Sequence, residues 1–439
     1  MLYKWKKAEN IPLKYTMFVM WTTLFVYLFG PIKWIESWDY AEMLTILLLV
    51  LFFSAFAVGY YLRGKSFPKV PQNQQSLAHS IDWTRILSVT IWINFVLTIG
   101  NTLLYADVTN ISELLNKVVV GLTSTGEAYY SKNVSSRSGE LIVWITFLYS
   151  PILYLTNVLA LFRFRSLKQV QKCCVIATLL IEAMRWVSIG TNKGLMDIVL
   201  LILTIYMINK MLYYGKESEH TKKRQRMNRW MTIGVLVLVI LFLSFFGMAI
   251  SSRIEGAYDV SNYDSFPYNL VPEGLRFLMD KVDSYLVQGY NNMEKIIENC
   301  EFRWTYGAGN SRFLMDALEK LGIFLEERTY PYQLAQYNVD PLASWHSAYA
   351  WFASDLTFVG VIFLMFVAGH YMCGLARDVI TKEDPIAMAL LYLMIMMVTN
   401  ASCTNYVLAY TNGFWGFWGL VLFRIIQKRR VKFSIRNRS

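Results

Sequence analysis

The chain is poor in charge and poor in cysteine. Charged residues make up 17% of its 439 positions, where an ordinary soluble domain carries about a quarter. Its five cysteines, Cys173, Cys174, Cys300, Cys373 and Cys403, form no CxxC pair, which argues against structural zinc, dithiol redox chemistry and a disulfide framework. There is no Gly-rich phosphate loop, no internal repeat of clear period and no RNA-binding signature, so no nucleic-acid partner is expected. The first apolar run lacks a small-residue cleavage site, so it reads as a retained helix and not as a signal peptide.

What is present is apolar length. Hydrophobic residues reach 55% and aromatics 16%. They recur in runs of about 20 residues, the length a helix needs to cross the hydrocarbon core. About ten such spans are expected: Tyr15–Ile32, Met43–Leu62, Ile86–Tyr105, Leu141–Phe162, Cys174–Gly190, Gly194–Met211, Trp230–Ile250, Trp345–Leu375, Ile386–Asn400 and Tyr406–Ile426. The fold class is therefore all-α, a polytopic membrane protein. The eighth stretch is longer than a bilayer requires, so its first turns stand above the membrane or the helix tilts.

The net charge of +11 reports topology first. Lys4, Lys6, Lys7 and Lys14 precede the first span, Arg163, Arg165, Lys168 and Lys172 follow the fourth, Lys222 to Arg229 precede the seventh, and Lys428 to Arg430 follow the last. All these clusters fall on one side, which the positive-inside rule makes cytoplasmic. The expected location is the cytoplasmic (inner) membrane, with both termini cytoplasmic.

Three regions follow: 1–250 with seven spans, 251–344 as one large outer loop, and 345–439 with three spans and a tail. The outer loop carries 14 acidic against 8 basic residues. Leu275, Leu278, Val282 and Leu286 recur at helical spacing, and so do the apolar residues of Ser311–Leu321, with Asn310 or Ser311 as N-cap. A small helical extracytoplasmic cap is expected. The second outer loop, Ala106–Glu140, has a polar Ser/Thr/Gly-rich tract and reads as mobile.

Ionisable residues inside a bilayer are costly and are functional candidates by default. Glu182 and Arg185, three residues apart in the fifth span, share a helix face and can pair. Arg185 lies roughly 7 Å below the end of its helix, where it could hold a phosphate of an outer-leaflet lipid. The plainer reading is a self-satisfied pair that locks helix packing. The turn Thr191-Asn192-Lys193 follows, and Asp197 opens the sixth span. In the large loop, arginines suit a diphosphate because their planar fork donates paired hydrogen bonds. Arg253 stands just past the seventh span; Arg303 and Arg312 lie further on. His346 is the one histidine of four placed outside, at the mouth of the eighth span. Imidazole can accept a proton from an attacking hydroxyl, although an interfacial histidine beside Trp345 is the plainer reading. Asp355, nine residues on, falls nearly opposite His346 on a straight helix. It is expected to contact another span or a sugar, and to share a site with His346 only if the helix is broken.

This layout resembles the O-antigen polymerase family, the Wzy-type oligosaccharide repeat unit polymerases. The resemblance rests on the turn Gly190-Thr191-Asn192-Lys193-Gly194, with lysine where members often carry arginine. It rests also on Tyr306-Gly307 in the outer loop and on the aromatic-rich, Asp-containing stretch Ser344–Gly360. It implies a GT-C-like membrane fold and a polymerase acting at the outer face. Such an enzyme moves a growing glycan from undecaprenyl diphosphate to the terminal sugar of another lipid-linked repeat unit, for O-antigen, capsule or exopolysaccharide. No cofactor, nucleotide sugar or metal is implied. The implied partners are the undecaprenyl-diphosphate-linked oligosaccharide and membrane lipids, with a chain-length regulator and a flippase as further associates. In this reading Arg185, Lys193 and Arg253 grip the diphosphate and His346 is the acceptor base. Arg303 and Arg312 are secondary contacts, and Asp355 and Glu182 also line the substrate. The competing readings are a flippase or transporter of lipid-linked oligosaccharide and a membrane acyltransferase of a surface polysaccharide.

Overall fold

The computed structural model describes residues 2–35, 37–65, 82–134, 141–215, 237, 245–247, 268–341 and 344–436. Among these, every regular element is helical. The α-helices are α1 (Leu2–Phe29), α2 (Tyr40–Lys65), α3 (Trp83–Tyr105), α4 (Ile111–Thr123), α5 (Thr125–Val134), α6 (Leu141–Phe162) and α7 (Gln169–Ser188). After them come α8 (Lys193–Gly215), α9 (Glu273–Asn299), α10 (Arg312–Glu319), α11 (Tyr330–Gln333), α12 (Ala348–Lys382), α13 (Pro385–Asn400) and α14 (Thr411–Arg436).

Six of them, α1, α2, α3, α6, α8 and α12, are long and apolar enough to cross a membrane, and α13 is a shorter apolar helix. Large apolar side chains such as Phe18, Phe25, Val359 and Phe363 point outward from α1 and α12. A helix that is apolar on every face suits a hydrocarbon surround. The chain is an all-helical polytopic membrane protein. Of the other expected spans, Cys174–Gly190 and Tyr406–Ile426 correspond to α7 and α14, which are not among those six, and Trp230–Ile250 lies almost wholly outside the described residues.

The centre of the bundle is α13, buried on every face from Pro385 to Met396. Beside it, α2 and α12 approach almost to backbone contact. A β-carbon on Gly59 would lie 2.0 Å from the carbonyl oxygen of Phe366, and one on Gly369 2.0 Å from that of Phe56. Small residues permit this closeness, and membrane helices associate largely through such packing. Because Phe56 meets Gly369 and Arg63 lies near Gly374, the two helices run in the same direction.

The long apolar stretch at α12 is broken. Thr357 has φ 61° and ψ 164°, a region that suits glycine, so residues 348–356 form a short separate helical segment. That segment is buried at Ala348, Tyr349, Ala350, Ala353, Ser354 and Asp355.

The large loop forms a helical cap, as its periodicity predicts. Helix α9 is held to α1 and the segment after it: Asp283 accepts from the Ile32 amide at 2.9 Å and from Trp34 Nε1 at 2.8 Å, and the Tyr290 and Thr23 hydroxyls meet at 3.0 Å. Helix α10 starts where expected, with the Ser311 side chain capping the Leu314 amide. The segment Ala106–Glu140 is a correction. Residues 111–134 of the supposedly mobile loop fold into α4 and α5. The apolar face of α4 packs on the end of α7, where a β-carbon on Gly121 would lie 2.0 Å from the Val187 carbonyl oxygen.

Candidate functional site at the α7–α8 turn

Two glycines shape the turn between α7 and α8. Gly190 sits at φ 64°. Its amide donates to the Val187 carbonyl at 2.9 Å, and the Thr191 amide donates to the Trp186 carbonyl at 2.9 Å. This is a Schellman ending, which requires a left-handed residue and so favours glycine. Gly194 lies under the Trp186 indole, where a β-carbon would stand 1.8 Å from the ring. The turn therefore brings the last turn of α7 and the first turn of α8 against one indole.

Two cations share that indole. The Arg185 guanidinium carbon stands 4.9 Å from the ring centroid of Trp186 and 5.4 Å from that of Tyr105. Lys193 Nζ stands 5.6 Å from Trp186, 5.3 Å from Tyr410 and 4.4 Å from Tyr406. Each cation also has a carboxylate. Arg185 pairs with Glu182, which in addition accepts from Trp186 Nε1 at 2.8 Å. Lys193 pairs with Asp197 at 3.2 Å. The Tyr406 hydroxyl donates to Asp197 at 2.6 Å and contacts the Lys193 carbonyl at 3.0 Å, and Tyr392 donates to the Asp197 carbonyl at 3.0 Å. The quartet is formally neutral. Its aromatic faces add a cation–π contribution of about 0.5–2 kcal/mol per contact. Arg185 Nε is buried with no hydrogen-bond partner.

The cap reaches this cluster through one loop. Asn405, next to Tyr406, donates its side chain to the Asn310 carbonyl. Asn310 in turn donates its backbone amide and its side-chain nitrogen to Asp355 at 2.9 and 2.7 Å. Asp355 also accepts from the Thr305 hydroxyl at 2.5 Å and the Gly309 amide at 3.0 Å. All its acceptor capacity is spent on the turn 305–310, which holds Tyr306 at φ 55° and Gly307 at φ 83°. Its carboxylate is a clamp for the cap.

His346 is packed inside the bundle. It is enclosed, with 2% of its surface accessible, its ring edge-on to Trp351 at 6.3 Å. Neither ring nitrogen has a hydrogen-bond partner. Burial pushes its pKa down to about 4, with Lys295 adding to the effect. Enclosed in this way, the ring presents neither nitrogen to the surface. Arg303 and Arg312 stand exposed on the cap, Arg312 facing Asp316 at 3.9 Å; neither joins the quartet. Arg253 lies outside the described residues. Thus, among the described candidates, Glu182, Arg185 and Lys193 come together, and His346, Asp355, Arg303 and Arg312 lie elsewhere.

Trp186, Tyr406, Tyr410 and Asn405 escape sequence reasoning. Aromatic residues are common at membrane interfaces, so nothing marks these among the 14 tryptophans and 28 tyrosines. Asp197, an acid at the start of a span, carries a visible signal. No family model matches the chain, and no curated protein or solved structure is detectably similar to it.

Proposed function

We propose that the chain is a Wzy-type polymerase with a GT-C-like helical bundle, joining lipid-diphosphate-linked oligosaccharide units at the outer face of the cytoplasmic membrane. The observation that carries this reading is the meeting of Arg185 and Lys193 on the Trp186 indole, at the turn where the family resemblance places its cationic motif. In such a reaction the diphosphate is the leaving group, and its charge grows as the glycosidic bond breaks. Preorganised cations in a water-poor site stabilise that charge. Arg185 and Lys193 would exchange Glu182 and Asp197 for phosphate oxygens, and the unpartnered Arg185 Nε supplies a further donor. The released carboxylates would then be free to act. Asp197, with a quarter of its side chain exposed, is placed to take the proton of the acceptor hydroxyl. The cap supplies a sugar-facing surface in Trp304 and Tyr306, whose exposed rings lie 5.2 Å apart with Arg328 5.8 Å from Tyr306.

A lipid-linked oligosaccharide flippase is the second reading. What favours it is the neutrality of the quartet, since paired intramembrane charges that part and re-pair also suit a moving gate. The test uses proteoliposomes loaded with the lipid-diphosphate-linked repeat unit on the outer-equivalent face. A polymerase lengthens the glycan there; a flippase only moves it. Arg185→Gln and Lys193→Gln should each cut elongation by at least about tenfold, equivalent to roughly 1.4 kcal/mol of lost stabilisation. Wild-type elongation in both variants, with insertion verified, overturns the assignment of the quartet.

A further inference from the structure

A second polar cluster lies at the opposite end of α12 from the cap. Tyr371, Asp378 and Lys382 recur at helical spacing on one face of α12, and Arg424 and Lys428 on one face of α14. The two faces meet. Arg424 pairs with Asp378, Lys382 reaches the same carboxylate at 3.0 Å and Lys428 reaches it at 3.4 Å. The Arg424 guanidinium carbon stands 5.5 Å from the ring centroid of Tyr371. Three cations therefore converge on one carboxylate. Asp384, the residue before α13, caps that helix by accepting from the Ile386 amide at 3.0 Å. The neighbouring Arg377 is paired with Glu9 at 2.6 Å. Counting both aspartates, the group keeps a surplus of positive charge.

Among the described residues, two donors in this group have nothing to donate to. Arg424, with only 5% of its surface accessible, has Nη1 buried without a hydrogen-bond partner, and the Tyr371 hydroxyl is buried likewise. A buried guanidinium nitrogen left unsatisfied is costly. Lys428, by contrast, is half exposed and gives the group an open side. We propose that Arg424, Lys428 and Tyr371 form a phosphate-binding site, seating either the headgroup of an anionic phospholipid or a free phosphate. Its oxygens accept from Arg424 Nη1 and the Tyr371 hydroxyl, while Lys428 neutralises the charge from the open side. A zwitterionic headgroup gains less there, because its own cation faces the surplus positive charge.

The experiment uses the full chain, delipidated in detergent. Native mass spectrometry measures binding of phosphatidylglycerol and of phosphatidylcholine, and calorimetry measures inorganic phosphate. Phosphatidylglycerol should bind at least about tenfold more tightly than phosphatidylcholine, a difference of roughly 1.4 kcal/mol. Arg424→Gln should abolish that preference. Because Arg424 is buried and is the closest partner of Asp378, the half-exposed Lys428, whose contact with Asp378 is the longer one at 3.4 Å, supplies the second variant: Lys428→Gln should weaken binding about fivefold, as expected for one charge-assisted contact. Lys320→Gln, on the exposed surface of α10's C-cap, should change nothing. Inorganic phosphate binding with the same sensitivity to both variants identifies free phosphate as the occupant; lipid binding alone identifies the headgroup. The proposal fails if neither probe binds above the phosphatidylcholine level, if both site variants bind as wild type, or if Lys320→Gln weakens binding equally.

Discussion

Asn310 gives both of its nitrogens to one oxygen of Asp355, the amide at 2.9 Å and Nδ2 at 2.7 Å. A carboxylate receiving several hydrogen bonds is strongly held, each such bond being worth about 1.5–3 kcal/mol. Asp355→Ala should therefore release the turn 305–310 from α12 while leaving the bundle assembled. Hydrogen exchange at Gly309 and Asn310 should speed up by at least about a hundredfold, the equivalent of roughly 2.7 kcal/mol. Unchanged protection at these amides would show that the turn is held by something else.

The close approach of α2 and α12 makes a prediction about size. Gly59→Leu places carbon where the Phe366 carbonyl lies, so the helices must part or shift, at a cost of about 1–3 kcal/mol or more. Gly64→Ala is the control, since its β-carbon meets nothing nearer than 3.9 Å. Spin-label distances between the two helices should grow in the first variant only, with a lower melting temperature in detergent.

Thr357 is a β-branched residue in a backbone region that glycine occupies freely. Thr357→Gly should relieve about 1–3 kcal/mol of strain and raise the melting temperature. A fall would mean that the Thr357 hydroxyl, which receives the Gly360 amide at 3.4 Å, matters more than the strain.

Cap docking should depend on pH. Burial pushes Asp283 up to about 7 against the hydrogen bonds of Trp34 and Ile32, and pushes Glu294 up to about 8 with help from Glu298. Their folded-state pKa values exceed the unfolded ones. The stability they contribute is thus complete below the ordinary carboxylate range and drains away as pH rises through about 7 and about 8. His346 works in the other direction, but only below its ordinary value of 6.5. Between pH 6.5 and about 8 the melting temperature should fall, and the double variant Asp283→Asn, Glu294→Gln should flatten the curve. An equal slope in the variant would remove these two groups as the cause.

How legible the fold was depends on what bounded each run. Helix α6 spans Leu141–Phe162, as expected, because Glu140 and Arg163 bracket an uncharged, largely apolar stretch. The cap helices followed from periodicity alone. Helices α4 and α5 did not, because the polar tract from Thr123 onward reads as loop and masks the short apolar face before it, and their order comes from distant partners: Gly121 against Val187, and Gly190 against Thr125 and Tyr129. At the site, the Glu182–Arg185 pair was readable from its spacing. The role of Asp355 was not, because its partners lie in another loop and a lone intramembrane acid signals only that something must satisfy it. The enclosure of His346 was equally hidden, since depth below a folded cap is a property of the cap.

Beyond Thr357, α12 is laid so tightly along α2 that neither can slide without the other. The cap turn hangs from Asp355, just across the break from one end of this doubled strut, and the Arg424 cluster grips the other. A phosphate drawn in at the far end would stiffen both helices at once.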